Sequence, residues 1–105
     1  MIAAKVAVVP LPSSVDHASA AEFVKALPAR VEALRREAIA ALVVDASRLD
    51  FFDSSVLAVL LECRRQALTS GQGFSVSGAP VRLMRLAALY GVAELFPAAN
   101  PAVAG

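Results

Sequence analysis

The sequence predicts a small α/β domain whose sheet is parallel at least through its middle, and three observations predict it. Leu42, Val43 and Val44 form a short apolar run rich in β-branched residues, the pattern of a strand buried on both faces. Ala21, Val24, Leu27, Val31 and Leu34 recur at threes and fours with Glu and Arg between them, the pattern of a helix with one apolar face. Strand and helix patterns alternate along the chain with turn residues between them, as in successive βαβ units.

Taken in order, Ala3 to Val9 reads as the first strand, closed by Pro10 and Pro12, which cannot donate to a ladder and so mark an edge. Ser13, Ser14 and Asp16 supply turn and cap chemistry, and a helix follows from Ala18. Pro28 either kinks that helix or opens a second one, and the pattern fits both. The central strand is Leu42 to Asp45, followed by a loop with Ser47, Arg48 and Asp50. Asp53-Ser54-Ser55 then forms a hinge, and Val56 to Ser70 reads as the second helix. Each of the three hinge side chains can accept a bond from the unpaired N–H groups of a first helical turn. Gly71 and Gly73 stop that helix. Phe74 to Ser77 is a short strand, Gly78 to Pro80 a turn, and Val81 to Tyr90 a third helix stopped by Gly91. One domain over 1–97 with a fraying tail over 98–105 is the expected organisation.

Hydrophobic residues make up 58% and charged residues 18% of the 105, which offers more apolar surface than one small core needs and implies a partner. The longest unbroken apolar run, Ala38 to Val44, falls far short of the roughly 20 residues a bilayer crossing needs. MIAAKVAVVPLP lacks the features of an export signal, and Cys63 has no second cysteine to pair with, so a reducing cytoplasm is the expected compartment. A net charge of +1 argues against nucleic-acid binding, which wants a concentrated basic face.

The residues with chemistry in them do not assemble into an enzyme. Asp45, Asp50 and Asp53 are the right type for Mg²⁺, yet no glycine-rich phosphate loop accompanies them and no lysine follows Lys25, so turn and cap roles suit them better. His17 lies in a capping region with no triad partners in reach of the pattern. Cys63 falls among apolar helix positions, where a small core hydrophobe is the ordinary reading. No metal or organic cofactor is expected.

At 100° per residue the apolar positions of the second helix spread over roughly 200°, wider than burial against one sheet requires. Leu57, Leu61 and Leu68 are assigned to the core, and Val56, Val59 and Cys63 to a partner surface beside Asp53, Ser54 and Ser55. The alternative is that the first and third helices cover both flanks.

From Leu42 to Pro97 the ordered set DAS, FFDSS and LAALYGVAELF resembles the STAS domain family, with SVD at 14–16 in place of a Gly-Glu-Leu-Asp type turn. The resemblance implies about four strands in a mixed sheet under three or four helices. It also implies a protein-docking role without catalysis. Two branches matter. In anti-sigma factor antagonists the second serine of an Asp-Ser-Ser-Gly hinge is phosphorylated by a partner kinase, a position that maps to Ser55. Val56 replaces the glycine and is expected to crowd a kinase's approach. In the MlaB-like branch, a cytoplasmic subunit of a phospholipid-transporting ABC system, a hydroxyl follows the hinge Asp and maps to Ser54. Leu86-Ala87-Ala88-Leu89-Tyr90 resembles that branch's last helix. This likeness implies docking on the transporter's ATPase subunit, with contact to the membrane only through that complex.

Overall fold

The computed structural model describes residues 5–99; the expected strand start at Ala3 and the tail beyond 99 lie outside them. The elements run β1 (Val6–Pro10), β2 (Ser14–Val15), α1 (His17–Arg36), β3 (Ala41–Asp45), β4 (Phe51–Phe52), α2 (Ser55–Thr69), β5 (Gly73–Ser77) and α3 (Val81–Leu89), then a 3-10 turn at Ala93–Leu95. The predicted α/β domain is therefore present, with its five strands divided between two sheets. β1, β3 and β5 form one sheet in that order, and every strand pair among the described residues is parallel.

Register explains the core. Ala7, Leu42 and Phe74 lie side by side, as do Val9, Val44 and Val76, and all six belong to the one hydrophobic cluster or pack against it. The alternate residues point the other way: Val43 lies outside that cluster and Val8 is 58% exposed. Two consecutive parallel crossovers, taken right-handed, set α1 and α2 on the same face of the sheet. α2 accordingly packs on α1, β3 and β5 together.

That double contact decides which side of α2 is hidden. Its buried residues are Val56, Leu57, Val59, Leu60, Cys63 and Ala67, an arc of about 160° centred between Cys63 and Leu60. The expected partner surface of Val56, Val59 and Cys63 is thus core, each fully buried. Leu68, expected inside, is 49% exposed, and Leu61 is half-buried. A wide apolar arc here reflects a helix pressed between a sheet and a neighbouring helix.

α1 runs unbroken through Pro28, which lies exposed. Its start is a capping box: the Ser19 N–H donates to Asp16 Oδ1 at 2.9 Å, and the Asp16 N–H donates to Ser19 Oγ at 3.0 Å. Gly73 begins β5, so Gly71 alone stops α2. The expected fraying does not begin at 98. The Val76 N–H donates to the Pro97 carbonyl and the Ala99 N–H to the Val76 carbonyl, which adds a parallel bridge at Ala98 to the edge of β5.

The short β2–β4 pair was not visible in the sequence pattern, and it positions the hinge. Ser14 faces Phe51 and Val15 faces Phe52. The Asp50 and Phe51 N–H groups both donate to the Ser13 carbonyl, and the Asp53 N–H donates to that of Val15 at 3.3 Å. These bonds draw Asp16, which opens α1, toward Asp53, which opens α2.

Candidate functional site

The hinge begins where β4 ends. Ser54 already has helical angles, φ −63° and ψ −13°, and its side chain makes no capping bond. Asp53 does the capping instead: its Oδ1 accepts the Ser55 N–H at 2.8 Å, and its carbonyl accepts the Val56 N–H at 3.2 Å. Of three side chains able to cap, the backbone uses one. The Ser54 residue is exposed and Ser55 half-buried.

Three of the carboxylates around this point have definite partners. The Ser55 hydroxyl and then the Ser55 N–H hold the Asp53 carboxyl below its usual range, with a smaller contribution from His17 and opposition from Asp16. The Ser19 N–H and hydroxyl do the same for Asp16. Asp45 accepts the Ser47 N–H at 2.9 Å, and the Ser47 hydroxyl and N–H lower its carboxyl too. Asp50 contributes its carbonyl, which accepts from Arg82 Nη2 at 2.6 Å. Among the described residues no group of three or more His, Cys, Asp and Glu side chains could share a metal. Of the three acids weighed as a Mg²⁺ set, the Asp45 and Asp53 carboxylates each close a separate turn, and Asp50 takes part through its backbone.

Arg82 adds a second tie. Its guanidinium lies over the Phe52 ring, 5.0 Å from the centroid, so the start of α3 is fastened to the strand that leads into the hinge.

Beside Ser55 a groove of about 490 Å³ opens between α1 and α2, lined by Ala20, Ala21, Val24 and Ala58 together with His17, Glu22 and Lys25. The sequence reading missed it. The available signal was alanine on both facing helices, at positions where a larger residue would fill the space. Val56, Val59 and Cys63, assigned to this surface from the sequence, are not part of it. Val56 also cannot crowd the approach to Ser55, because its side chain is turned into the core. Burial pushes the Cys63 thiol up to about 12, which leaves it protonated and unreactive. The arrangement places the Ser54 and Ser55 residues beside an apolar groove that His17, Glu22 and Lys25 also line.

No curated protein matches the chain in sequence. Solved structures do match in fold. The unphosphorylated form of the anti-sigma factor antagonist SpoIIAA superposes with a TM-score of 0.67 at 18% identity, over 99% of this chain and 88% of that one. The phosphorylated form of the Bacillus cell fate determinant SpoIIAA gives 0.63 at 18% identity, over 99% and 91%. At that identity the likeness concerns the fold. The family model described as MlaB, STAS domain, matches residues 2–97. With nearly the whole chain inside that match, and a capped serine hinge at the head of α2, the protein belongs to the MlaB-like STAS domain family.

Proposed function

We propose that the chain is a non-enzymatic STAS adaptor that binds and supports the ATPase subunit of a phospholipid-transporting ABC system, the kind that maintains outer-membrane lipid asymmetry. The observation that carries this reading is the unengaged, exposed Ser54 side chain on a rigidly capped turn, with the apolar groove between α1 and α2 beside it. The match to the MlaB-like family model supports it as well. In this reading the protein works in the cytoplasm, at the inner membrane only through its partner. The docking surface consists of Asp53, Ser54 and Ser55 together with the groove.

The second reading is an anti-sigma factor antagonist switched by phosphorylation of Ser55. It is favoured by the half-exposed position of Ser55 on the groove and by the burial of Val56, which leaves the approach open.

Purification of the chain from its host with its bound partners separates the two. A P-loop ATPase is the expected companion; a serine kinase or sigma regulator in its place overturns the adaptor. Ser54→Arg is expected to block the complex by bulk and charge while leaving the melting temperature unchanged. A one-phosphate shift in intact mass that disappears in Ser55→Ala supports the switch.

A further inference from the structure

We propose that Arg82 is the latch of a short segment, residues 50–55, that opens as a unit on an otherwise closed core, so that the start of α3 controls whether the hinge turn is held. Both ends of the segment are firm. Leu49 before it and Val56 after it are buried in the one hydrophobic cluster. Between them few side chains are anchored: Phe51 is 71% exposed, Phe52 is half-buried, and Asp50, Asp53 and Ser54 are exposed. A segment with buried ends and an exposed middle is the kind that opens locally.

The backbone holds this segment weakly. A two-stranded pairing is marginal by itself, and β2–β4 has two residues in each strand. The Asp50 and Phe51 N–H groups share one acceptor, the Ser13 carbonyl, and the Asp53 N–H reaches the Val15 carbonyl at 3.3 Å, beyond the usual span of such bonds. Of the two strands β2 is the fixed one, because Leu11 ahead of it and Val15 within it are buried. β4 is the strand free to leave.

Arg82 grips β4 at both ends. Its Nη2 donates to the Asp50 carbonyl, just before the strand, and its guanidinium lies over the ring of Phe52, the last residue of the strand. The helix that carries it is well seated: Leu83, next in the chain, and Ala87 are fully buried. The turn leading to α3 is packed just as closely, since Gly78 has φ +64° and a Cβ there would lie 2.7 Å from that of Ser47. Arg82 itself is exposed and forms no ion pair among the described residues. A charge-assisted bond is roughly twice as strong as a neutral one, so this grip is comparable with the backbone pairing it reinforces. When it is lost, β4 parts from β2, the Asp53 N–H leaves the Val15 carbonyl, and the turn that carries Ser54 and Ser55 loses its fixed angle while β1, β3 and β5 stay paired.

The test is amide hydrogen exchange of the full chain, followed by NMR at urea concentrations below the unfolding transition. Exchange of the Asp50, Phe51, Asp53 and Ser55 N–H groups is expected to be nearly independent of urea, because local opening exposes little surface, whereas that of Val43 and Val44 in the long sheet should rise steeply with urea. Arg82→Met keeps the stem and removes the donors and the charge. It is expected to speed exchange of the four hinge amides about tenfold or more, still without urea dependence. Arg82→Lys, which keeps a cation for the ring and a donor for the carbonyl, is expected to restore most of the protection. Three results overturn the proposal: hinge amides in Arg82→Met that exchange within about twofold of wild type, hinge amides that follow the same urea slope as Val43 and Val44, and wild-type hinge amides that exchange as fast as in an unstructured peptide of the same sequence.

Discussion

At the scale of single residues the hinge turns on one carboxylate. Asp53 accepts the Ser55 N–H and so closes the first turn of α2, the job that two neighbouring hydroxyls could have shared and do not. Asp53→Ala should lower the melting temperature, whereas Asp53→Asn, which keeps an accepting oxygen, should lower it less. Their pH dependence separates bond from charge. Native Asp53 has its pKa below the ordinary 3.8, so under acid the unfolded chain takes up the proton first. The stabilisation is present above about pH 4 and lost as pH falls through the native value. Melting curves between neutral pH and pH 3 should therefore show a shallower acid loss in Asp53→Asn than in the wild type; identical slopes would mean the charge contributes nothing. Asp16 and Asp45 shift the same way through their own serines, so the variant should flatten the limb without abolishing it.

Among the secondary elements, the three helices end alike. In each, the second residue past the C-cap donates to the carbonyl three before that cap: Ile39 to Leu34 at 3.3 Å, Gln72 to Ala67 at 2.8 Å and Val92 to Ala87 at 2.9 Å. This is the Schellman closure, which wants a left-handed residue just after the cap and an apolar one after that. Gly71 and Gly91 meet the first requirement; Ala38, at φ 58°, meets it under strain. Ala38→Gly should stabilise the protein by about 0.5–1 kcal/mol, the relief of left-handed strain exceeding the entropy glycine adds to the unfolded chain. Ile39 and Val92 meet the second requirement and Gln72 breaks it. Its amide is buried at 3% exposure, with neither Nε2 nor Oε1 bonded among the described residues. Gln72→Met should raise stability by about 1–2 kcal/mol in a denaturant titration, because an apolar side chain of similar size removes an unpaired buried amide. A loss of stability instead would show that the amide has a partner.

What the sequence disclosed follows from how local each feature is. The order of helices and long strands was legible because periodicity and punctuation lie within a few residues: the Pro10 edge, the Gly71 and Gly91 stops and a cap somewhere in Asp53-Ser54-Ser55 all read directly, though which of the three caps did not. β2 and β4 were not, since Ser14-Val15 and Phe51-Phe52 are too short to show any period and exist only through each other. The site was half legible for the same reason. Asp53, Ser54 and Ser55 announce a helix start, but which side of α2 faces outward depends on where α1 lies, and no spacing within α2 records that. A projection finds the width of an apolar arc and leaves its burial to the neighbours, which is how Leu68 and Cys63 exchanged places.

For the molecule as a whole, the position of Cys63 sets how stability responds to base. The thiol is fully buried near the centre of the α2 arc and its pKa stands at about 12, raised from 9.0 by burial. Above about pH 9 the unfolded chain releases that proton and the native chain keeps it, so stability is complete below the unfolded value and falls as pH rises toward the native one, by at most about 1.4 kcal/mol per pH unit. Cys63→Ala removes the titrating group and leaves a small cavity. It should be less stable than the wild type at pH 7 and lose less on going to pH 10.5, so the two denaturation midpoints converge. Parallel midpoints across that range would mean the thiol ionises in the native state, and therefore that the core around α2 opens to water without global unfolding. The same opening would expose Val56 and Val59 beside the hinge, so the alkaline limb also measures whether the Asp53-Ser54-Ser55 turn stands on a closed core.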